Sequence, residues 1–436
     1  MAYKIDVKTA VAIGLSAIIG DTLFVVTGIP IAQDGATALL AFLVVGVIAM
    51  LIALVLGELS SMMPKTKGVS YSYASRAFGS ELGFITGILL SFAYCATISA
   101  VSFSFGAYFL SMLGITASIQ YQIIVAAALI VLLALINMYG LKETARLDII
   151  MVLITLLTAA LFVAYAFLHG NWSMPFGSFQ LPAHGAIAGF SEAVTTIVFA
   201  YAGFQALVGL TNEIKGKGIA VSSAMIYAIA ISIVIYLLVA LGILLLVPAA
   251  LEGTGAQPLV TALAYVHAPL LVSVLVDLGT LVAIAAATMV IMLTASRLIY
   301  QIGKDGLLPK ITRSFNNATG TAVSGIWVSA IVSIALLFSG GVYTILSLSN
   351  FGIIFSWMMA CLALINMRRR GRVGNFRAPL YPYLPLIAIA ACVIFIFGLP
   401  RSALAVGVIL ILALMVIYST ISELKYKHVP RVRLFD

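Results

Sequence analysis

Charge is what this sequence has least of. Its 436 residues include 14 Asp and Glu and 23 Lys and Arg, so 8% of the chain is charged while 63% is hydrophobic. Ordinary soluble domains carry about 25% charged and about 45–50% apolar residues. A soluble chain of this length needs a polar shell that these residues cannot supply. Cysteine is scarce as well: Cys95, Cys361 and Cys392 all fall inside apolar runs. They read as buried thiols, and a disulfide-stapled fold is excluded. The four histidines (His169, His184, His267 and His428) are spread over connections and tail, so no metal site is expected. An apolar, non-repetitive composition also excludes disordered and fibrous classes. An all-α integral membrane protein is what remains.

The formal net charge of +9 does not point to nucleic acid. The basic residues sit in short clusters between apolar runs, with no stretch in which they interleave with stacking aromatics. The opening MAYKIDVK leads into an apolar segment too long for a signal h-region, so no cleavable leader is expected.

A membrane helix needs roughly 20 apolar residues. Twelve spans meet that rule, at 8–32, 37–63, 82–113, 121–139, 147–168, 187–211, 221–247, 269–301, 321–339, 342–366, 381–399 and 402–421. With both termini cytoplasmic, 22 of the 23 basic residues lie inside and only Arg401 outside. That bias fixes direction and parity together. The cluster at 368–377 reads as a topology anchor against anionic lipid. The longest outer connections, 169–186 and 248–268, are too short to be domains. Function therefore belongs to the bundle itself.

Irregular backbone at mid-membrane is tolerated only where it lines a cavity, so breaks in spans point to transport sites. Gly20 lies mid-way along span 1 and is followed by Asp21 and Thr22, which favour caps over helix interiors. Gly203 lies mid-way along span 6. Each of these glycines is open to two roles: close helix packing, which is the commoner one in a membrane helix, or a break.

Several motifs then resemble the amino acid–polyamine–organocation (APC) superfamily, in order along nearly the whole chain. Span 1 is similar to its glycine-rich signature through Gly14, Ile19, Gly20, Phe24, Thr27 and Gly28. The junction of spans 2 and 3 matches at Glu58, Pro64, Gly68, Tyr71, Tyr73 and Gly79, and NMYGLKETAR at Asn137, Gly140 and Lys142. Span 6 matches from Gly203-Phe204 to Asn212-Glu213-Ile214-Lys215, followed by SRLIYQIGKDGLLP (Ser296–Pro309) and FRAPLYPYLP (Phe376–Pro385). The resemblance implies a LeuT-type transporter. Residues 8–168 and 187–366 would be two inverted five-helix repeats with broken helices 1 and 6, and 381–421 two added helices. It implies a site in which bared amides of span 1 hold a substrate carboxylate and bared carbonyls of span 6 its amine. By position these are Ile18, Gly20, Asp21 and Thr22, and Phe199, Ala200, Ala202 and Gly203, with Phe199 where the family often has an aromatic gate. Half-helix partial charges of opposite sign make this arrangement physically reasonable.

The chain departs from that pattern at Asp21, which stands in the family's small Gly-Ser/Thr-Gly turn. A mid-membrane aspartate costs ~2.5–3.5 kcal/mol. Three roles are open to it: N-capping the second half of the helix, carrying a coupling proton, or pairing with a cationic substrate. The helix 5 lysine that replaces a sodium ion in some relatives is here Thr155, and a helix 6 acid is Gln205. A sodium ion would instead use carbonyls near Ala17 and Gly20 with hydroxyls such as Thr288, although such hydroxyls often bond their own backbone. Tyr94 in span 3 is a candidate for the pocket wall or for an interhelical hydrogen bond. Glu58 is expected to pair with basic loops, Glu192 to be solvated near the outer mouth, and Asp277 to lie in the outer third of span 8.

The expectation is a secondary transporter working by alternating access on a small-molecule substrate. An amino acid is favoured, because the matched positions are small or aromatic, and a polyamine or other organic amine held by Asp21 is the alternative. A proton is the preferred coupling ion and sodium the second; no cofactor is expected. Enzyme motifs such as HExxH and GxSxG are absent, as are the filter loop or charged rings of a channel.

Overall fold

The computed structural model describes residues 4–115, 118–174, 186–248, 257–339 and 342–425, and all of their regular elements are helical. The chain begins with α1 (Val7–Val25), α2 (Gly28–Asp34), α3 (Ala38–Met62), α4 (Val69–Phe78) and α5 (Ser80–Met112). Then come α6 (Ile119–Met138), α7 (Leu141–His169), α8 (Ala186–Tyr201), α9 (Ala206–Gly209), α10 (Lys217–Leu246) and α11 (Pro258–Tyr265). The last part holds α12 (Leu270–Lys304), α13 (Val323–Leu336), α14 (Val342–Arg369), α15 (Tyr383–Phe397) and α16 (Arg401–Lys425). Among the described residues nine helical segments are long and apolar enough to cross a membrane, and three shorter apolar ones accompany them.

Burial sorts these helices into a centre and a rim. The span windows are 89% buried in α5 and 71% in α1 but only 11% in α16. Rim helices turn large apolar side chains outward, among them Leu157, Phe397 and Ile409. In water such a surface would be costly; in lipid it is the solvent-facing side.

The first span corrects the expected break. α1 winds without interruption through Gly20, and the irregular step comes at Val26–Thr27, before α2. Gly20 serves contact instead. A Cβ there would stand 2.5 Å from the Ala283 carbonyl oxygen and 2.9 Å from the Ala287 Cβ on α12, so only glycine lets the two helices touch. The Thr22 hydroxyl folds back to the Ile18 carbonyl at 2.7 Å. The sixth span does change geometry. α8 ends at Tyr201, and Ala202–Gln205 tighten into a 3₁₀ turn before the short α9. Two helices fall in stretches that the hydropathy reading left as connections: α4, with Tyr71 and Tyr73 buried, and α11. Both are too short to register as spans.

Charged groups gather at the end of the bundle that holds the α3–α4 turn. Glu58 on α3 is buried, and Arg368 donates to it twice, from Nε and Nη2, each at 2.6 Å. The Ala378 amide adds a third donor at 2.7 Å. Glu213 forms ion pairs with Arg297 at 3.1 Å and Lys67 at 3.7 Å, and fully buried Arg297 also donates to the Gly209 and Gly320 carbonyls. The segment before α1 is tied to the same place: the Ile5 amide donates to the Glu213 carbonyl, the Lys215 amide to that of Ile5, and Lys4 Nζ to that of Asn212.

Removing one partner of a buried ion pair costs about 3–5 kcal/mol. Glu58→Ala is accordingly expected to lower the unfolding midpoint of the purified protein sharply, and Glu58→Gln, which keeps one acceptor, to lower it less. Lys67 gives a pH test. Burial first, then repulsion by Arg297, bring its ammonium down to about 8 from 10.5, against the pull of Glu213. The folded-state value lies below the unfolded one, so the unfolded chain binds more protons between those two pH values. The lysine's contribution to stability then rises with pH across that window. Lys67→Gln should flatten that rise in a pH series of unfolding midpoints.

Candidate functional site

The candidate site is built where α1 meets the end of α8 and the 3₁₀ turn. Gly203 brings the two backbones together: a Cβ on it would lie 1.8 Å from the Ala17 carbonyl oxygen and 2.8 Å from the Ile18 nitrogen. Beside this contact the carbonyls of Ile18 and Ala200 face one hydroxyl. Tyr236, on α10, donates toward Ile18 O at 2.6 Å and Ala200 O at 2.9 Å, and its oxygen also meets the Thr22 hydroxyl. Thr22 reaches Ala200 O as well, at 3.3 Å. Two backbone acceptors from two different helices thus share hydroxyl donors at a fully buried point.

Aromatic rings hold that tyrosine in place. Phe42 stacks on Tyr236 with centroids 5.5 Å apart, and Tyr201 meets it edge-on at 5.2 Å. Tyr201 is itself fixed by donating to the Phe42 carbonyl at 3.0 Å. The arrangement locks the end of α8 to α3 and α10 at the point where its backbone becomes irregular.

A cavity of about 370 Å³ lies at the end of the bundle opposite the ion pairs. Its wall includes Val26, Ile29, Thr195, Phe199, Asn350 and Leu399. Phe199, which lines the cavity, immediately precedes Ala200 in α8. Asn350 on α14 donates to the Thr195 carbonyl at 3.1 Å, while its own Oδ1 is buried with no hydrogen-bond partner among the described residues. The cavity is therefore apolar with a few polar groups, the usual composition of a small-molecule site.

The expected site residues sort as follows. Ile18, Thr22, Ala200 and Gly203 come together around Tyr236, Phe199 lines the cavity, and Ala202 opens the 3₁₀ turn. Gly20 packs on α12, and the side chain of Asp21 lies outside the described residues. Tyr94 is buried on α5, stands outside the cavity wall, and its hydroxyl has no partner among the described residues. Thr155 and Thr288 donate to their own helices, at Met151 O and Ile284 O, and Ala17 O abuts Gly203. Gln205 accepts from Ser356. Glu58 pairs with Arg368, while the side chains of Glu192, His184 and His428 lie outside the described residues. Among the described residues there is no group of His, Cys, Asp and Glu that could hold a metal. Tyr236 and Asn350 were missed. A lone tyrosine mid-way along an apolar span needs a hydrogen-bond partner, and that rule was the available signal for Tyr236.

Comparison with known proteins adds to this geometry. The sequence profile described as amino acid permease matches residues 5–422. The methylthioribose transporter of Bacillus subtilis is 27% identical over 410 residues, covering 89% of this chain and 86% of that protein. The branched-chain amino acid permease BcaP of Lactococcus lactis is 26% identical over 90% of this chain and 88% of its own. Cationic amino acid transporter 9 of Arabidopsis thaliana, a chloroplastic protein, is 26% identical over 71% of this chain and 57% of its own.

The contact at Gly203 makes a direct prediction. Gly203→Ala forces a methyl group onto the Ala17 carbonyl, and overpacking of this kind costs about 1–3 kcal/mol. The expected result is a lowered unfolding midpoint and loss of transport. Tyr236→Phe keeps the ring packing and removes only the shared hydroxyl, so its midpoint should fall less.

Proposed function

The chain belongs to the amino acid permease family, and from that premise we propose that it carries amino acids with apolar side chains across the membrane by alternating access, driven by protons. Family membership makes it a multi-pass membrane transporter rather than an enzyme. The single observation that carries the finer reading is a cavity lined by Phe199, the neighbour in sequence of Ala200, whose carbonyl shares the Tyr236 hydroxyl with that of Ile18.

In this reading the substrate enters the cavity, passes or displaces the Phe199 ring, and presents its ammonium to the Ile18 and Ala200 carbonyls now held by Tyr236. Carbonyl oxygens without a formal charge suit an ammonium group that must later leave. The apolar wall at Val26, Ile29, Leu346 and Leu399 supports an aliphatic side chain, in line with the branched-chain permease among the relatives. The amides around Gly20 to Thr22 would have to be bared for the carboxylate, which requires α1 to unwind there on binding. The nine long and three short apolar helices support twelve spans with both termini cytoplasmic. Helices 8–168 and 187–366 would form the two repeats, with 381–421 appended. The ion-paired end then faces the cytoplasm, and the cavity faces outward.

A second reading has Asp21 selecting a cationic amino acid or a polyamine, and the similarity to a cationic amino acid transporter favours it. Uptake into proteoliposomes under an inward proton gradient separates the two. The first reading expects saturable leucine uptake, weak competition by lysine and putrescine, and little effect of Asp21→Asn. Phe199→Ala should raise KM about tenfold, equivalent to about 1.4 kcal/mol of binding. Dominant competition by putrescine or lysine, lost in Asp21→Asn, would establish the second reading, and flux that never saturates would overturn both.

A further inference from the structure

A proton-driven carrier needs a group that binds and releases the proton. Glu58 is engaged with Arg368 and Glu213 with Arg297 and Lys67, while Asp277 is half-buried toward the start of α12 with an Oδ1 that has no partner among the described residues. Asp148 is different. It lies on α7 seven residues beyond Leu141, about 10 Å into the helix, on the same face as Thr155 two turns further on. The residue is fully buried. Its Oδ1 accepts from the Ser16 hydroxyl of α1 at 2.6 Å, and its Oδ2 is buried with no hydrogen-bond partner among the described residues.

Among the described residues, the elements packed on α7 bring no countercharge to it. On α1, Lys8 is exposed and the Asp21 side chain lies outside the described residues. On α10, Tyr236 is held at Ile18 and Ala200, Tyr227 is exposed, and the Lys217 side chain lies outside the described residues. On α12, Arg297 is paired with Glu213, Tyr300 stacks on Phe315, Lys304 is exposed, and Asp277 lies near the helix's opposite end. α6 offers only exposed Tyr121, and on α7 itself Lys142 is exposed, Glu143 pairs with Arg146, and His169 stacks on Tyr165 at the far end. None of these forms a hydrogen bond or ion pair with Asp148. An anionic carboxylate here would keep a full charge on a single hydrogen bond, and an unpaired buried charge is far more costly than an unpaired neutral donor.

We propose that Asp148 is the proton-binding carboxyl of the transport cycle and that its hydrogen bond to Ser16 ties protonation to the position of α1. The proposal rests on the proton-driven reading above. With the proton on Oδ2, the neutral pair lets α1 lie packed on α7. Release breaks the Oδ2–H bond, the proton passes to a water molecule, and the electron pair stays on the carboxylate. The resulting anion needs hydration, so α1 must draw away from α7 and admit water. Uptake reverses these steps.

The test uses the full chain in lipid nanodiscs and, for its first arm, no substrate. Infrared difference spectra across a pH series are expected to show a protonated-carboxyl C=O band that disappears on alkalinisation and is absent in Asp148→Asn. Ser16→Ala removes the donor to Oδ1, so the band should persist at higher frequency. A wild-type band that Asp148→Asn leaves intact, or one that Ser16→Ala does not move, overturns the proposal. Should Asp148→Asn fail to fold, the Ser16→Ala shift decides alone. In the second arm, leucine accumulation driven by a proton gradient should fall at least about tenfold in Asp148→Asn, and unchanged accumulation overturns the proposal. If the wild type itself moves no leucine, the substrate reading fails while the infrared arm still judges the carboxyl.

Discussion

A peptide backbone inside lipid has to find partners for its own carbonyls and amides, and the organisation of this protein follows from how it does so where α1 crosses the end of α8. At that crossing there is no room for side chains between the backbones, because Gly203 lies on the Ala17 carbonyl. The carbonyls left beside the contact are served by the hydroxyls of Tyr236 and Thr22. The irregular backbone at the end of α8 is thus kept at the core of the bundle with hydroxyl donors on the carbonyls of Ile18 and Ala200.

The distribution of charge complements that arrangement. Among the described residues the buried Glu58, Glu213 and Arg297 each have an ion-pair partner, and these pairs sit at one end, whereas buried Asp148 has none. Arg368 and Glu58 join α14 to α3, Glu213 with Arg297 and Lys67 joins the segment after α9 to α12 and the α3–α4 turn, and the residues before α1 are strapped onto the same knot. One end is therefore tied by ion pairs, beside pockets lined by Glu58 and Arg368 and by Tyr71 and Asp305, and the opposite end holds the cavity at Phe199.

Much of this was legible in the sequence, for stated physical reasons. The spans follow from the length of apolar runs, and Glu58 was expected to find a basic partner because a carboxylate near the membrane cannot remain alone. Gly203 was marked, and the backbone there does tighten. Gly20 was marked by the same argument and behaves otherwise, because a glycine that lets two helices touch and a glycine that interrupts one leave the same trace in a sequence. α4 and α11 escaped because hydropathy over twenty residues does not see helices of ten or eight. Tyr236 and Asp148 escaped for a deeper reason: each matters through a partner far away along the chain, Ile18 for the one and Ser16 for the other, and no local pattern announces such a pairing.

The central claim is that the carbonyls of Ile18 and Ala200 are the seat of the transported amine. A structure of the protein in lipid nanodiscs with saturating leucine tests it most directly. The account predicts ligand density against Phe199, its ammonium within hydrogen-bond distance of both carbonyls and the Tyr236 hydroxyl moved off Ala200. Leucine bound elsewhere, with Tyr236 still bridging the two carbonyls, would contradict it.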